Sequence, residues 1–540
     1  MRKHKSNVRK TRVLRDQNYE LPESVISTIL GLCDRVEGTG FRETYLRKEY
    51  LSKYADPDPN DKLIRVERAI DKWTSQEDLN RATNNRIRNS EWDYNIIPRV
   101  TLRTFVAFTQ RTISNILGSL DDFIVIGGFS GGASTSHRRA SSHPAWKFSD
   151  EADATEEATK FVDVIHRQSP LLGTYGVFSR LNVVEGAVLF TVPKNALIER
   201  CACKEPDLNM YLQKAVGNHI DRRLARIGIN LRDQSINRGL AQVGSLTGNL
   251  ATLDLSSASD SVTVELVRLL LPHVWFEYLN DIRSQNVFVR GEYVRTEMFS
   301  SMGNGFTFGL ESLLFYALAR SVLYFEGIKG RLSVYGDDII LPSSGADMLV
   351  SVLRFFGFTV NLEKSFITGP FRESCGGHYH DGADVTPFYL KTRPTRLTDL
   401  IRVANQFRNW CMMSDGTRIP LSEQARYVPL YNQSLYKLWE ELRDLVPRDL
   451  WGGADLALDT CLVTSDPPNA YLVRVKEKMV LPDKGKYLHW HSTYRNRTEP
   501  AKPTREAAQT TQCCRKRRTP KWSGVAIRRL FFEEFVNITH

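Results

Sequence analysis

The sequence predicts a mixed α+β protein. Three short apolar runs, at residues 183–192, 250–255 and 332–341, read as strands. They lie between helix-rich stretches at residues 18–120 and 391–480. At 540 residues, with 41% hydrophobic and 25% charged, the chain has ordinary globular composition and room for two to four domains.

Taken in order, residues 1–17 form a basic arm. The glycine-rich stretch Gly127-Gly128-Phe129-Ser130-Gly131-Gly132, followed by His137-Arg138-Arg139, is a loop by composition. It is either a plain connector or a backbone that approaches phosphates beside its arginines. Residues 183–192 alternate around Val184, Val188, Phe190 and Val192. A helix is predicted over 205–228, ending near Gly228, and Leu250–Leu255 reads as a buried strand. Val264, Val267, Leu270 and Leu271 fall at helical spacing, and Pro272 stops that helix. An apolar helix over 306–325 follows the turn Gly303-Asn304-Gly305. Residues 346–356 form a helix closed by Gly357, where a left-handed residue is wanted. From 482 onward the composition turns polar and basic, and partial disorder is expected.

The net charge is +11, but its placement says more than its total. The first 17 residues carry +6 and residues 481–530 carry +10, which leaves the rest at −5. Polyanion contact is therefore expected at the two ends, not over a uniformly basic surface. The eight cysteines are scattered, without the density of a disulfide scaffold, and read as reduced thiols. The basic N-terminus lacks the apolar core of a secretory signal. No uninterrupted apolar stretch approaches the ~20 residues that span a bilayer. A soluble, intracellular protein with no membrane partner is expected. No fixed repeat is visible, which excludes solenoids and propellers.

The chemistry is carried by carboxylates. Leu332-Ser333-Val334-Tyr335 and Asp338-Ile339-Ile340-Leu341 flank Gly336-Asp337, a β-hairpin by sequence. A turn needs only one aspartate. Two adjacent ones between buried strands raise each other's pKa unless a cation compensates them. Asp254, within Leu253-Asp254-Leu255, puts a further carboxylate inside an apolar strand, where an unpaired charge is disfavoured. Asp260 follows six residues later and could equally be the N-cap of the next helix. Asp254, Asp337 and Asp338 together suit two divalent ions for phosphoryl transfer. One would lower the pKa of an attacking hydroxyl and the other steady a triphosphate. Oxygen ligands favour Mg2+, with Mn2+ as a substitute.

These residues occur in a recognisable order: Asp254-Leu-Ser-Ser-Ala-Ser-Asp260, Ser301-Met-Gly-Asn-Gly-Phe-Thr307, then Tyr335-Gly-Asp-Asp338. The order resembles viral RNA-dependent RNA polymerases. The wording resembles the replicase catalytic subunit of leviviruses, the small RNA phages. Thr191-Val-Pro-Lys194, Cys203-Lys-Glu-Pro-Asp207 and Phe371-Arg-Glu-Ser-Cys-Gly376 look like that group too, so the likeness runs from about residue 180 to 390. It implies a right-hand fold of fingers, palm and thumb, the palm an antiparallel sheet packed on helices. The division expected is a basic arm at 1–17, N-terminal region and fingers at 18–245, palm at 246–390 with space for a fingers insertion, thumb at 391–481 and basic tail at 482–540. It also implies an RNA template and product, NTP substrates and a positive-sense phage genome copied in the cytoplasm of an infected bacterium. Host elongation factors Tu and Ts and an RNA-binding ribosomal protein are the implied partners.

With that family in view, Lys194, Arg200 and Lys204 are candidates for triphosphate binding, although Glu205 and Asp207 could pair with them instead. Asp260, Ser301, Asn304 and Thr307 are candidates to read the ribose 2′-hydroxyl, against helix capping for Ser301 and Thr307. Gly303, Gly305 and Tyr335 are candidate contacts to template or product. Lys364 resembles the lysine that protonates the leaving pyrophosphate. Cys375-Gly-Gly-His378-Tyr-His380 is at most half of a zinc site, since no second Cys/His pair stands at suitable spacing. A reverse transcriptase shares the paired aspartates, but the polar Asp260/Asn304 set favours ribose. A non-catalytic RNA-binding protein would explain the basic ends but not the buried acids.

Overall fold

The structure is a computed structural model that describes residues 20–55, 59–195, 197–411, 433–446 and 482–494, with short strand segments at 413–414, 417–418, 471–474 and 525–528. The basic arm and most of the basic tail lie outside the described residues.

The fold is mixed α+β and is organised around the helix Thr307–Phe325. Fifteen of its 19 residues are buried. By length and composition it could cross a membrane, but an apolar helix buried on all sides is the core helix of a folded domain. It packs on helices Leu102–Leu117, Asp207–Arg226 and Ala346–Phe355. Its one polar contact with the first of these is a buried hydroxyl pair, Ser321–Thr109, at 2.7 Å. Each fully buried large apolar side chain in this cluster contributes ~1.5–3 kcal/mol.

A three-stranded antiparallel sheet lies against the core helix, in the order Ser333–Tyr335, Asp338–Pro342, Leu250–Leu253. Alternation assigns its faces. Ile339 and Leu341 join the main core, whereas Ile340 points the other way, onto Ala241 and Tyr379. The helix Ser235–Thr247 covers that second face. Cover on both faces explains the unbroken Ile339-Ile340-Leu341 run. The hairpin Phe371–Ser374/Gly377–His380 docks at the sheet end through buried Arg372, whose Nε donates to the Leu250 carbonyl at 2.6 Å.

Several boundaries differ from the sequence reading. The apolar run at 250–255 divides at Asp254: Leu250–Leu253 pairs with the hairpin, and Leu255–Ser256 pairs with Thr359–Val360. Asp254 is thus a strand junction and not a mid-strand residue. The strand expected at 183–192 is Ala187–Pro193, in a separate four-stranded sheet with Glu199–Lys204 and Asn286–Arg295. Val184 belongs to the turn before it. A Cβ on Gly186 would meet the Asn286 carbonyl at 2.0 Å, so the chain bends there. The Gly127–Gly132 loop is a packed connector. Its Ser130 and Gly132 carbonyls accept from buried Lys147 at 3.0 and 2.6 Å, so it turns acceptors inward and offers no phosphate cradle. Residues 483–494 form a helix and seat Leu488 in the main core, where partial disorder was expected.

A second core joins the N-terminal helices to the helices between residues 397 and 446. Ile29, Leu46 and Tyr50, from Glu23–Leu30, Phe41–Glu49 and its C-cap, pack with Leu400, Phe407, Trp410 and Trp439 from Leu397–Cys411 and Gln433–Asp444. Residues 412, 415–416, 419–432, 447–470 and 475–481 of the helix-rich C-terminal stretch lie outside the described residues.

Gly217 and Gly305 bring two backbones into close contact: a Cβ on Gly217 would meet the Gly305 carbonyl at 2.3 Å. Gly217→Ala is therefore expected to lower the thermal unfolding midpoint, since overpacking costs ~1–3 kcal/mol. Gly128→Ala, which faces open space, is expected to leave it unchanged in the same melt. An equal midpoint for both variants would contradict this packing.

Candidate active site

Asp254 is fixed on both sides by one turn. The Asn361 N–H donates to the Asp254 carbonyl at 2.9 Å, and Asn361 Nδ2 donates to Asp254 Oδ2 at 3.0 Å. The Asp254 N–H donates to Ser365 Oγ at 3.0 Å. The turn that brackets Asp254 therefore also delivers Lys364, which lies between its two anchors.

Asp337 is carried on the two-residue turn of the hairpin. Tyr335 pairs with Asp338, and Gly336 sits at φ +61°. Glycine is needed twice over here: for the left-handed φ and because a Cβ would strike the Phe308 ring at 2.4 Å. The Gly336 N–H donates to Ser312 Oγ at 2.9 Å, which ties the turn to the core helix. Asp338 faces away. Its Oδ1 accepts from Ser374 Oγ at 3.1 Å and the Cys375 N–H at 3.2 Å.

Asp254 and Asp337 open onto one cavity of about 1410 Å³, with Asp260, Lys194, Arg200 and Lys364 also on its wall. Asp260 does not cap the following helix. Thr263 does, accepting from the Leu266 N–H at 3.4 Å, which leaves the Asp260 carboxylate for the cavity. Burial raises Asp254 to about 6; Lys364 opposes this and Asp337 adds to it. Burial also raises Asp338 to about 6, reinforced by Asp337. Asp260 rises to about 6 through burial and Glu77, against Lys72, Arg200 and Lys194. Asp337 is raised by burial, against Arg200, Lys364 and Lys194. The Lys194 ammonium is pushed down by burial and by crowding from Arg200, Lys72 and Lys364. The wall thus sets under-compensated acids against crowded cations.

Among the described residues, no three Asp, Glu, His or Cys side chains already converge to hold a metal ion. The donors on the cavity wall are carboxylate oxygens, which suits a hard divalent cation that completes its shell with water and nucleotide phosphates. Asp254 and Asp337 are the residues that could hold it.

The structure divides the remaining sequence candidates. Lys194, Arg200, Asp260 and Lys364 share the cavity. Lys204 is not on its wall; its ammonium lies 5.7 Å from the centre of the Phe190 ring. Glu205 and Asp207 pair with none of these cations: Glu205 accepts from Ser284 at 2.6 Å, and Asp207 is bound by Ser136. Ser301, Asn304 and Thr307 are buried and are not on the cavity wall, whereas Met302 lines it. Thr307 Oγ1 donates to Ser300 Oγ at 2.8 Å and to the Ser301 carbonyl at 3.1 Å, which ties it to the preceding turn; it is not the helix cap, since Phe306 holds the N-cap position without a side-chain bond. Asn304 Oδ1 accepts from the Phe306 N–H at 3.0 Å, and its Nδ2 is buried with no partner among the described residues. Gly303, at φ +112°, and Gly305 serve internal packing. Cβ atoms there would meet the Cys203 carbonyl at 2.2 Å and the Lys214 nitrogen at 2.8 Å. The close approach they allow is to their own chain. Tyr335 sits half-buried beside Phe308, with ring centres 5.1 Å apart.

Several site residues were missed. Lys53 and Lys72 line the cavity from far upstream. Nothing in their mixed-charge surroundings marks them. Asn361 is the positioning partner of Asp254, and its spacing to Lys364 was the available signal. Glu311 lies beneath the Gly336-Asp337 turn and accepts from Ser259 Oγ at 2.6 Å; burial pushes it up to about 8.

Comparison with known proteins supplies the identity. The family described as RNA replicase, beta-chain, matches residues 7–529. The RNA-directed RNA polymerase beta chain of Enterobacteria phage fr is 40% identical over 468 residues, covering 84% of this chain and 81% of that one. The beta chain of Escherichia phage MS2 is 38% identical over 471 residues, covering 86% and 82%. The beta subunit of Escherichia virus Qbeta is 40% identical over 395 residues, covering 72% and 65%. Among solved structures, the RNA-dependent RNA polymerase of a human picorbirnavirus overlaps 48% of this chain and 55% of that one, at TM-score 0.31 and 17% identity. Matched along nearly its whole length, the chain belongs to the RNA replicase beta-chain family, the RNA-directed RNA polymerases of the small RNA phages.

Proposed function

We propose that this polymerase copies a single-stranded, positive-sense RNA phage genome by two-metal nucleotidyl transfer, releasing pyrophosphate from each NTP. One observation carries the reading: Asp254, at a strand junction, and Asp337, on the hairpin turn, line one cavity together with Lys194, Arg200 and Lys364. Mg2+, or Mn2+ in its place, would when bound supply Lewis acidity to the attacking 3′-hydroxyl and neutralise charge on the leaving group.

The chain's own groups then have distinct tasks. Asp254 and Asp337 hold the cations, and Asp338, occupied by Ser374 and Cys375, tunes the field around them. Lys194 and Arg200 bind the triphosphate, which carries more negative charge than two cations neutralise. Lys364 delivers a proton to the departing pyrophosphate oxygen. Asp260 accepts from the ribose 2′-hydroxyl, and a substrate lacking it leaves that buried acceptor unpaired. In this reading the hairpin sheet is the palm, residues up to about 245 supply the N-terminal region and fingers, and the C-terminal helices form the thumb. The setting is the cytoplasm of the bacterial host. Elongation factors Tu and Ts and an RNA-binding ribosomal protein are the proposed host partners, by resemblance to the leviviral replicases.

Asp337→Asn is expected to abolish incorporation of labelled NTPs on an RNA template with Mg2+. Normal synthesis by that variant would refute the metal assignment. Protons and cations compete for the same carboxylates. Asp254 and Asp338 rise to about 6, so activity is expected to fall as pH drops toward that value. Tenfold more Mg2+ should move the midpoint to lower pH; a midpoint independent of Mg2+ would count against the reading. The stability sign is opposite. Raised carboxylate pKa values mean that these groups favour folding when protonated and oppose it as pH rises through the folded value near 6. In metal-free buffer at neutral pH, Asp254→Asn is therefore expected to melt above the wild type. Added Mg2+ should raise the wild-type midpoint more than the variant's.

A further inference from the structure

We propose that Asn80, on the helix Pro59–Arg88, is a positioning residue for ribose selection: it aims the Asp260 carboxylate by holding the Asp260 main chain. The proposal rests on the reading of Asp260 as the acceptor for the 2′-hydroxyl.

The helix Pro59–Arg88 is mixed in charge and mostly exposed, and one face of it is buried. Lys72, Gln76, Asn80 and Asn84 follow one another at four-residue spacing, with Trp73 and Glu77 alongside. A face that met only a hydrophobic core would carry apolar residues at these positions. Glu77, Asn80 and Asn84 are instead polar and at most 6% exposed. Burying such groups is costly unless each is bonded, and here each is. Glu77 accepts from the Glu297 and Met298 N–H groups at 2.5 and 3.1 Å. Asn84 Nδ2 donates to the Glu297 carbonyl at 3.1 Å, and its Oδ1 accepts from the Glu265 N–H at 2.9 Å. Asn80 Nδ2 donates to the Asp260 carbonyl at 2.7 Å and to Glu77 Oε1 at 2.8 Å, and its Oδ1 accepts from Gln76 Nε2 at 3.1 Å. Both amide hydrogens of Asn80 are thus committed, which leaves its side chain one orientation.

The targets are main-chain atoms of two segments that pair with each other. The Val264 N–H donates to the Glu297 carbonyl at 3.1 Å, and the Phe299 N–H donates to the Val262 carbonyl at 2.7 Å. One segment leads back to Asp260 and the other forward to the loop at 301–305. Glu77 and Asn84 hold the paired segments, and of the three side chains Asn80 alone bonds Asp260. The Asp260 carboxylate accepts no hydrogen bond among the described residues, so its backbone sets its aim. Ser259 beside it is held by Glu311 at 2.6 Å, and Ser261 by the Ser257 carbonyl at 2.8 Å. Asn80 supplies the hold on the residue itself. The same helix shapes the field there: burial raises the Asp260 carboxyl, Glu77 adds to this and Lys72 opposes it. A hydrogen bond weakens steeply with misalignment. A carboxylate that drifts therefore loses its preference for a sugar with a 2′-hydroxyl before the site loses the nucleotide.

The test compares incorporation of an NTP and its 2′-deoxy analogue on one RNA template with Mg2+. It uses the full-length chain, purified with the host proteins that accompany it. The readout is the ratio of the two kcat/KM values, because a general structural defect lowers both and leaves the ratio alone. Asn80→Ala is expected to lower the ratio about tenfold, the scale of one hydrogen bond to a charged group. Asn84→Ala removes an equally buried amide from the same helix without touching Asp260, and its ratio should stay within about twofold of the wild type. Thermal melts of the two variants show whether they are equally destabilised. Asn80→Leu, which refills the space, carries the same expectation should Asn80→Ala not fold. Asp260→Ala tests the underlying reading. Lost selectivity there, with wild-type selectivity in Asn80→Ala, would overturn this proposal alone; full selectivity in Asp260→Ala would overturn both. An equal drop in Asn84→Ala would also overturn it, as would a further drop when Asn80→Ala is added to Asp260→Ala.

Discussion

The structure depends on holding the Asp254 and Asp337 carboxylates near each other in a mostly buried place without a short ion pair to either among the described residues. An ion pair with Lys364 or Arg200 would quench the site. Protonation would do the same, and burial already pushes both acids that way. The fold therefore fixes their backbones and gives their oxygens few protein donors. The Asn361–Ser365 turn holds Asp254 through main-chain bonds, and Ser312 holds the Gly336 N–H. Asn361 Nδ2 is the one protein donor given to the Asp254 carboxylate among the hydrogen bonds of the described residues.

That constraint explains the rigidity around the hairpin. The core helix presents Phe308, Glu311 and Ser312 on one side of Gly336, and a side chain in place of that glycine would clash with Phe308. Glu311 links the hairpin to the Asp260 loop through Ser259. The Gly217–Gly305 contact brings the helix Asp207–Arg226 against the loop that starts the core helix. Such packing transmits small displacements, so the acids and the loop at 301–305 are held as one body.

The cations play the complementary part. Lys194, Arg200 and Lys364 lower the cost of ionised carboxylates at a distance, without a short bond to them. Their mutual repulsion is relieved when a polyanion arrives. Cations fixed in this way need no rearrangement to meet negative charge.

The sequence by itself determined the local chemistry. The hairpin with its two acids, the glycine that its turn demands, Gly357 after the helix that ends at Phe355, and the unbroken apolar run of a sheet covered on both faces follow from neighbouring residues. The α+β class and the order of the three acidic and polar blocks were legible for the same reason. Partnership over long separations was not. Lys53, Lys72, Phe41 and Tyr45 reach the cavity from residues 41–72, far upstream of the hairpin at 333–342, and no periodicity records such a meeting. Tertiary packing also decided what surrounds each candidate. It set Lys204 beside Phe190, bonded Thr307 to the turn before its helix and placed Gly303 and Gly305 in close backbone contacts. Hydrogen bonds and packing are settled by which atoms lie within a few ångströms, and only the folded chain sets that distance.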